Sequence, residues 1–373
     1  MSIALPRFEE GQLRVFAEHV LQHGGARERD AKVVVDSLVD ADRRGVHSHG
    51  LARIPSYLAQ MRAGEIDVQA EPELIGGGGP VARVEGRLCF GAVLGRLAID
   101  EACALAERYG IGAVVVRDAT HFGAAGYYAR RAASRGLIGV SATNTPAVMA
   151  PFGGIEARLG NNPIAVAAPV AGRQPFVLDM AHTHVARGRI KLAELRGEKI
   201  PAAWALDAEG RRTTDPTAAL DGVLLPFGGY KGYALALVVE LLSGVLSGSG
   251  LSHELVNTGL TGRVAAGSAP TERGVGNLHL ALDPAAFVGR EAFAAKMAEL
   301  VGAMKTARVA DNRTEILVPG EPEARAEERA SREGVQLEPV TVEALRALAT
   351  AAGVSMPGPR DRETSTTRGC RRG

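Results

Sequence analysis

Ala113-Val114-Val115-Val116-Arg117-Asp118-Ala119-Thr120-His121-Phe122-Gly123-Ala124-Ala125-Gly126-Tyr127 is the stretch that decides the fold class. An apolar, mostly β-branched run of strand length, Ala113 to Val116, ends in a polar turn, and a helical pattern follows from Tyr127 to Arg135. The same alternation recurs on both sides. Val81 to Val84, Leu137 to Thr143, Ile164 to Ala168 and Leu278 to Leu282 read as strands, and Leu94 to Tyr109 and Gly232 to Leu246 as helices. This predicts an α/β core. Ligands of α/β sheets bind beyond the carboxyl ends of strands, which puts His121 in a functional position, with a histidine that merely closes the turn as the competing reading.

The flanks are helical. Leu13, Phe16, Ala17, Val20 and Leu21 share one face of a helix that Gly24-Gly25 stops. Asp30 is placed to cap a second helix and Ser48 a third, which Pro55 must bend or restart. Residues 287 to 305 and 341 to 351 return to helical periodicity and are expected to pack on the N-terminal helices. The expected organisation is a helical outer region from 1–75 and 287–355, an α/β core over 76–286, and a disordered tail over 356–373, rich in Pro, Gly, Ser, Thr and Arg. Gly76-Gly77-Gly78-Gly79 reads as a flexible linker.

Totals narrow the function. Among 373 residues, 43 Lys and Arg balance 42 Asp and Glu, giving no electrostatic reason to expect nucleic acid or a membrane surface as partner. The longest apolar run, Tyr233 to Val239, breaks at Glu240 and is too short to span a bilayer. Met1 to Glu10 lacks a signal-peptide pattern, and Cys89, Cys103 and Cys370 form no close pair, so a cytoplasmic setting and a small-molecule ligand are expected.

Three segments carry chemistry. In Arg44-Gly45-Val46-His47-Ser48-His49-Gly50-Leu51-Ala52-Arg53, a guanidinium stands four residues beyond an imidazole, so a continuing helix would present both on one side. Arg53 suits a two-pronged grip on a carboxylate; a structural salt bridge is the plainer alternative. His47 and His49 point apart on a helix and have no acidic or cysteine partner at ligand spacing, so no metal site is expected. His121 titrates near neutrality and suits proton donation to a carbonyl oxygen. Pro226-Phe227-Gly228-Gly229-Tyr230-Lys231-Gly232 precedes an apolar helix, offering glycines, helix amides and a cation to a cofactor phosphate, although a tight turn explains it equally. No G-x-G-x-x-G fingerprint joins a strand to a helix, so spacing alone does not reveal a nicotinamide enzyme.

The order of motifs adds more. Ser48-His49-Gly50 with Arg53, His121-Phe122-Gly123, Asn144-Thr145-Pro146, Gly160-Asn161-Asn162-Pro163, Val177-Leu178-Asp179-Met180-Ala181, Gly229-Tyr230-Lys231-Gly232-Tyr233 and Pro319-Gly320-Glu321-Pro322-Glu323 together resemble the type-2 malate/L-lactate dehydrogenase family over roughly residues 5 to 340. Ile200-Pro201 and Trp204-Ala205-Leu206-Asp207 fit the same order. That family includes ureidoglycolate, sulfolactate and diketogulonate oxidoreductases and piperideine-2-carboxylate reductases.

The resemblance implies a non-Rossmann α/β fold, NAD or NADP as cofactor, a small carboxylic-acid substrate and a homodimer with its site near the subunit interface, the helical outer region serving dimerisation. It implies His121 as acid/base in ureidoglycolate-type members, but the pair Ser48 and His49 as proton relay in reductase-type members. Arg53 would hold the substrate carboxylate and Asn161 would contact substrate. Thr145, Asp179, Met180, Ala181, Lys231, Gly320, Glu321 and Pro322 match cofactor-binding positions. One departure stands out: where the family has Thr-Ser after Asp-Met-Ala, this chain has His182-Thr183-His184, so His182 is a further candidate for proton chemistry.

The expectation is reversible hydride transfer at the 2-carbon of a small 2-oxo acid, or of a cyclic imine beside a carboxylate. A hydrolase or lyase using His49 and His121 and a binding protein without turnover are the alternatives. Arg117, Arg187 and Arg189 are candidate cations for the extra phosphate of NADP.

Overall fold

The computed structural model of the protein describes residues 5–255, 274–311 and 313–360. The chain enters through a short strand, β1 (Arg7–Phe8), and helix α1 (Glu10–His23), which buries Leu13, Phe16, Ala17, Val20 and Leu21 as the periodicity demands. Glu9 caps it by accepting from the Gly11 and Gln12 amides, and Gly25, at φ 105°, turns the chain away. Helix α2 (Glu28–Arg43) starts earlier than expected. Asp30 lies inside its first turn, its carboxylate 2.6 Å from Arg27 Nε, and so does not cap it. Ser48 caps no helix either: two 3-10 turns, His47–His49 and Leu51–Arg53, lead into α3 (Ile54–Arg62). Pro55 sits in the first turn of α3, where its missing N–H costs nothing, so it starts the helix and does not bend it.

The central sheet comes next. Its strands are β2 (Glu73–Gly76), β3 (Val81–Glu85), β4 (Ile111–Ala119), β5 (Ile138–Thr143), β6 (Ile164–Ala168), β7 (Phe176–Met180) and, after the short pair β8 (Ala205–Leu206) and β9 (Val223–Leu224), β10 (Val275–Leu282). All five strands expected from apolar runs are present. The spatial order is β2-β3-β4-β10-β5-β6-β7, and the sheet is mixed: β3 and β4 run parallel, and every other neighbouring pair is antiparallel. The glycine run at 76–79 is no linker. Gly76 ends β2 and the Gly77 amide donates to the Val81 carbonyl, closing a hairpin.

Helices α4 (Gly91–Tyr109) and α5 (Ala125–Ala133) press on the sheet at glycines: a Cβ on Gly112 would meet the Ala102 carbonyl at 2.0 Å, and one on Gly139 the Ala129 carbonyl at 2.4 Å. Helices α6 (Arg187–Arg196) and α7 (Pro216–Asp221) form a satellite core with β8 and β9. Helix α8 (Tyr230–Glu240) continues as a π-helical turn, Leu241–Val245, packed on β10 and β5. Of the C-terminal helices, α9 (Arg290–Lys305) meets the β6–β7 turn through the Ala171 amide and Ala294 carbonyl. Helix α10 (Glu321–Glu333), strand β11 (Val335–Gln336) and α11 (Pro339–Ala352) return to the N-terminal helices, with β11 paired to β1. One buried cluster runs from Leu13, Leu38 and Leu345 to Val84, Ile99 and Val116, so terminal helices and sheet share a core. Within the segment expected to be a disordered tail, Met356 packs on that core and the Arg360 amide donates to the Arg7 carbonyl; residues 361–373 lie outside the described residues.

Candidate active site

The strand pairings gather the singled-out motifs at one end of the sheet. Parallel β3 and β4 both finish there, β5 finishes beside them, antiparallel β10 and β6 begin there, and β7 ends there. The loop after β4 therefore stands in a row with Asn144 and Thr145 after β5, Asn161 and Asn162 before β6, and Ala181 and His182 after β7. Four strand steps separate β4 from β7, so the row is roughly 19 Å long.

At the β4 end the loop is held on both sides of His121. Thr120 Oγ1 donates to the Cys89 carbonyl and accepts from the Gly91 amide, and the Phe122 carbonyl accepts from Tyr128 Oη. The His121 ring lies 5.6 Å from the His49 ring, stacked at 22°, and its Nδ1 is 2.8 Å from Tyr57 Oη. Ser48 Oγ is 2.9 Å from His49 Nδ1. Arg53 Nε donates to the Ser48 carbonyl at 2.6 Å, which folds the guanidinium back over the turn. Its two terminal nitrogens have no partner among the described residues. Beneath them, buried Asp42 receives the Leu51 amide at 2.7 Å and lies 3.0 Å from His47 Nδ1, fixing the turn and committing His47 to structure.

Electrostatics follow from that geometry. Burial, with Arg53 beside it, pushes His49 down to about 3, and the same causes hold His121 well below the usual imidazole range. Both rings are thus neutral near pH 7 when no anion faces Arg53. Burial also disfavours the charge on Arg53 itself, and no carboxylate compensates it among the described residues. A half-buried cation with free donors is a site that lacks its counter-ion.

Farther along the row, Thr145 Oγ1 donates to Asn161 Oδ1 at 2.8 Å. Buried Glu240 of α8 accepts from Asn144, Asn162, and both the amide and hydroxyl of Ser252, at 2.5 to 3.1 Å, tying three loops to one helix. His182 is buried: its amide donates to the Asn161 carbonyl at 2.8 Å, its Nδ1 is 2.5 Å from the Asn162 carbonyl, and its ring stacks on Phe227 at 5.8 Å. The Phe227 amide returns a bond to the His182 carbonyl. The glycine loop before α8 is thereby fastened to the end of β7. Gly228 and Gly229 adopt φ of 58° and 64°, no side chain caps α8, and Lys231 is exposed in its first turn.

Asp179 serves α5, accepting the Gly126 amide at 2.7 Å. Gly320, Glu321 and Pro322 meet β7 nearer its start: the Val177 amide donates to the Pro319 carbonyl, and a Cβ on Gly320 would lie 3.0 Å from Val177 Cβ. A cavity of about 310 Å³ opens beside them, walled by Phe176, Pro319, Glu321 and Arg325. The donor set along this edge, backbone amides with a lysine ammonium, fits an anionic dinucleotide. Arg117 faces Asp118, Arg187 donates to the Leu220 carbonyl and Arg189 lies over Trp204.

Thus Ser48, His49, Arg53 and His121 come together as one cluster, while Thr145, Asn161, the end of β7 and Lys231 form a second group on the same sheet end. Tyr57 and Glu240 escaped the sequence reading. Tyr57 had a signal, its helical spacing from Arg53; Glu240 had been visible only as a break in an apolar run.

Comparison with known proteins gives the family. The family model described as malate/L-lactate dehydrogenase matches residues 8–346. L-sulfolactate dehydrogenase of Methanocaldococcus jannaschii is 41% identical over 307 residues, covering 82% of this chain and 86% of that protein. The Δ1-pyrroline-2-carboxylate/Δ1-piperideine-2-carboxylate reductase of Pseudomonas putida is 32% identical over 338 residues, covering 90% and 95%. The solved structure of malate dehydrogenase from Pyrococcus horikoshii superposes with a TM-score of 0.84 at 34% identity, covering 94% and 97%.

Proposed function

The chain belongs to the malate/L-lactate dehydrogenase family and is an oxidoreductase, and from that premise we propose that it interconverts a small 2-hydroxy acid and the corresponding 2-oxo acid with NAD or NADP. The observation that carries the reading is Arg53, whose terminal nitrogens stand without a protein partner among the described residues beside His121 and His49. The hydrolase or lyase and the binding-only protein are set aside by the family.

Arg53 grips the substrate carboxylate, which presents the 2-carbon to the sheet end and the 2-oxygen to His121. Lys231 and the amides before α8 would hold the diphosphate of the cofactor, Thr145, Asp179, Met180 and Ala181 would bind it beside the substrate contact Asn161, and Gly320, Glu321 and Pro322 with the adjoining cavity would take up the rest of it. The cofactor supplies or accepts the hydride. For oxidation, neutral His121 takes the hydroxyl proton as the carbonyl forms. For reduction, it must first be charged, and the substrate carboxylate makes that easier by cancelling the Arg53 field that opposes an imidazolium. The mixed sheet, without a parallel dinucleotide-binding half, supports the non-Rossmann reading.

Steady-state kinetics test these roles. Arg53→Ala is expected to raise KM roughly 10- to 100-fold, the worth of a charge-assisted pair, with a smaller effect on kcat. His121→Asn is expected to lower kcat by about 10²- to 10⁴-fold with little change in KM. Near-wild-type constants in both variants would sink the assignment.

A second reading has support of its own. The 2.9 Å contact of Ser48 with His49, and the pyrroline- and piperideine-carboxylate reductase among the relatives, fit reduction of a cyclic imino acid with that pair relaying the proton. Following nicotinamide absorbance with malate, lactate, a sulfonated 2-hydroxy acid and piperideine-2-carboxylate separates the two. The free buried thiols Cys89 and Cys103 suit the cytoplasm. The exposed apolar side chains on the outer face of α8 support a homodimer interface there, beside the terminal helical region to which the resemblance assigns dimerisation.

A further inference from the structure

Tyr57 reaches the cluster from α3, four residues after Arg53, so both side chains rise from one helical face. Its ring is 3% exposed, with Phe90 edge-on at 6.5 Å and the His121 ring tilted at 5.9 Å. The 2.8 Å contact from Tyr57 Oη occupies His121 Nδ1, so Nε2 is the ring nitrogen left for a substrate. A phenol has one proton to give and lone pairs to receive. Tyr57 Oη has no second partner among the described residues, which leaves two arrangements. Either the hydroxyl donates to Nδ1, or it accepts from Nδ1–H and turns its own proton toward the Arg53 side. A carboxylate on Arg53 favours the second, because it gives that proton an acceptor, and a hydroxyl that donates is a better acceptor in turn.

We infer that Tyr57 is a positioning residue that couples carboxylate binding at Arg53 to protonation of His121, by holding Nδ1–H on its oxygen so that Nε2 alone exchanges protons with substrate. The inference rests on the reading of His121 as acid/base. In reduction, the hydride adds to the 2-carbon, the electron pair of the C=O bond moves to oxygen, and the Nε2 proton joins it. His121 is left as the neutral Nδ1–H tautomer, already seated on Tyr57, and the phenol keeps its own proton throughout. Oxidation is the reverse. A tyrosinate is never formed, in keeping with the burial that lifts Tyr57 to about 12.

The charged and titratable groups facing His121 are few. Arg53 and His49 approach from the turns before α3 and Tyr57 from α3, while Phe90 offers only an apolar edge. On its own loop, Asp118 is engaged with the Gly274 amide and Arg117. Among the described residues the one hydrogen-bonded route to His121 Nδ1 therefore runs through the phenol oxygen, beside the direct relief of the Arg53 field, which Tyr57→Phe leaves in place.

The test uses the full-length enzyme and its Tyr57→Phe and His121→Asn variants. Nitrogen-15 NMR of the histidine rings is recorded against pH with and without oxalate, a carboxylate that cannot be reduced, and the pH dependence of kcat/KM is measured in both directions. In the wild type, oxalate is expected to raise the His121 pKa and to fix the Nδ1–H tautomer. In Tyr57→Phe the imidazolium loses its acceptor, so the pKa should fall, the oxalate response should shrink, and the His121 limb of both profiles should move to lower pH, by roughly tenfold in proton affinity. A phenylalanine that merely fills the same space would leave the tautomer and the limb unmoved, and that result would overturn the coupling. If instead His121→Asn keeps the wild-type rate and limb, the acid/base reading itself fails, an outcome distinct from a silent Tyr57.

Discussion

At the scale of single residues, His182 shows how a departure from a family pattern acquires a physical meaning. The sequence suggested a titratable group near the chemistry. The structure instead gives its Nδ1 to the Asn162 carbonyl and its ring to Phe227, and burial pulls its pKa down, so it stays neutral and acts as a clamp between two loops. His182→Thr would leave the buried Asn162 carbonyl without that donor, and we expect about 1–3 kcal/mol less stability in urea unfolding together with weaker reduced-cofactor binding by fluorescence titration. His182→Asn, whose Nδ2 occupies nearly the same place as Nδ1, should recover most of both. The pH–rate profile should match wild type in each variant; a profile that moves with His182 would restore the proton-transfer role. His121 could be singled out because the end of a strand is a local fact, whereas Arg53 was singled out on a helical spacing from His49 that the two 3-10 turns do not keep, although the turns still set the two side by side. Glu240 was not, since its partners Asn144 and Asn162 lie 96 and 78 residues away in sequence.

At the scale of elements, the strands read from apolar runs were the buried ones, and those that escaped are short or at an edge. β2 alternates poorly, with three of its four residues exposed, and β7 carries the charged, exposed residue Asp179 just before its last residue, Met180, so neither carries the signature of a core strand. Register too was hidden, because pairing of β4 with β10 joins residues more than 150 apart. The central strand β10 has its own cost. His279 is fully buried on it, 3.0 Å from Ser141 Oγ, and burial pushes it down to about 3. An unfolded chain binds a proton at this residue near pH 6.5, whereas the folded one refuses it until about pH 3. Stability from this group is complete above pH 6.5 and is lost as pH falls toward 3. Melting temperatures measured from pH 7.5 to 4.5 should therefore decline in the wild type and decline less steeply in His279→Phe. Equal slopes would show that the acid sensitivity arises elsewhere.

At the scale of the whole molecule, α8 and its π-helical continuation carry a row of exposed apolar side chains. Leu235, Val238, Leu241, Val245 and Leu246 are each about half exposed or more, and Tyr230 and Phe152 flank them at 60% and 61%. These residues extend along about 24 Å of helix, and an extended apolar surface of this kind marks an interaction face. The inner face of the same helix holds Glu240, and its first turn carries Lys231, so whatever covers the outer face also braces the side of the site proposed for the cofactor. A second copy of the chain explains the patch without a further partner and accords with the homodimer that the family resemblance implies. The double variant Leu241→Glu, Val245→Glu places two carboxylates in that surface while leaving the buried Glu240 network untouched. Sedimentation equilibrium should then show a dimeric wild type and a monomeric variant, with cofactor affinity reduced because α8 has lost its brace. A variant that still sediments as a dimer would move the interface to another face, and the terminal helices would be the next to mutate.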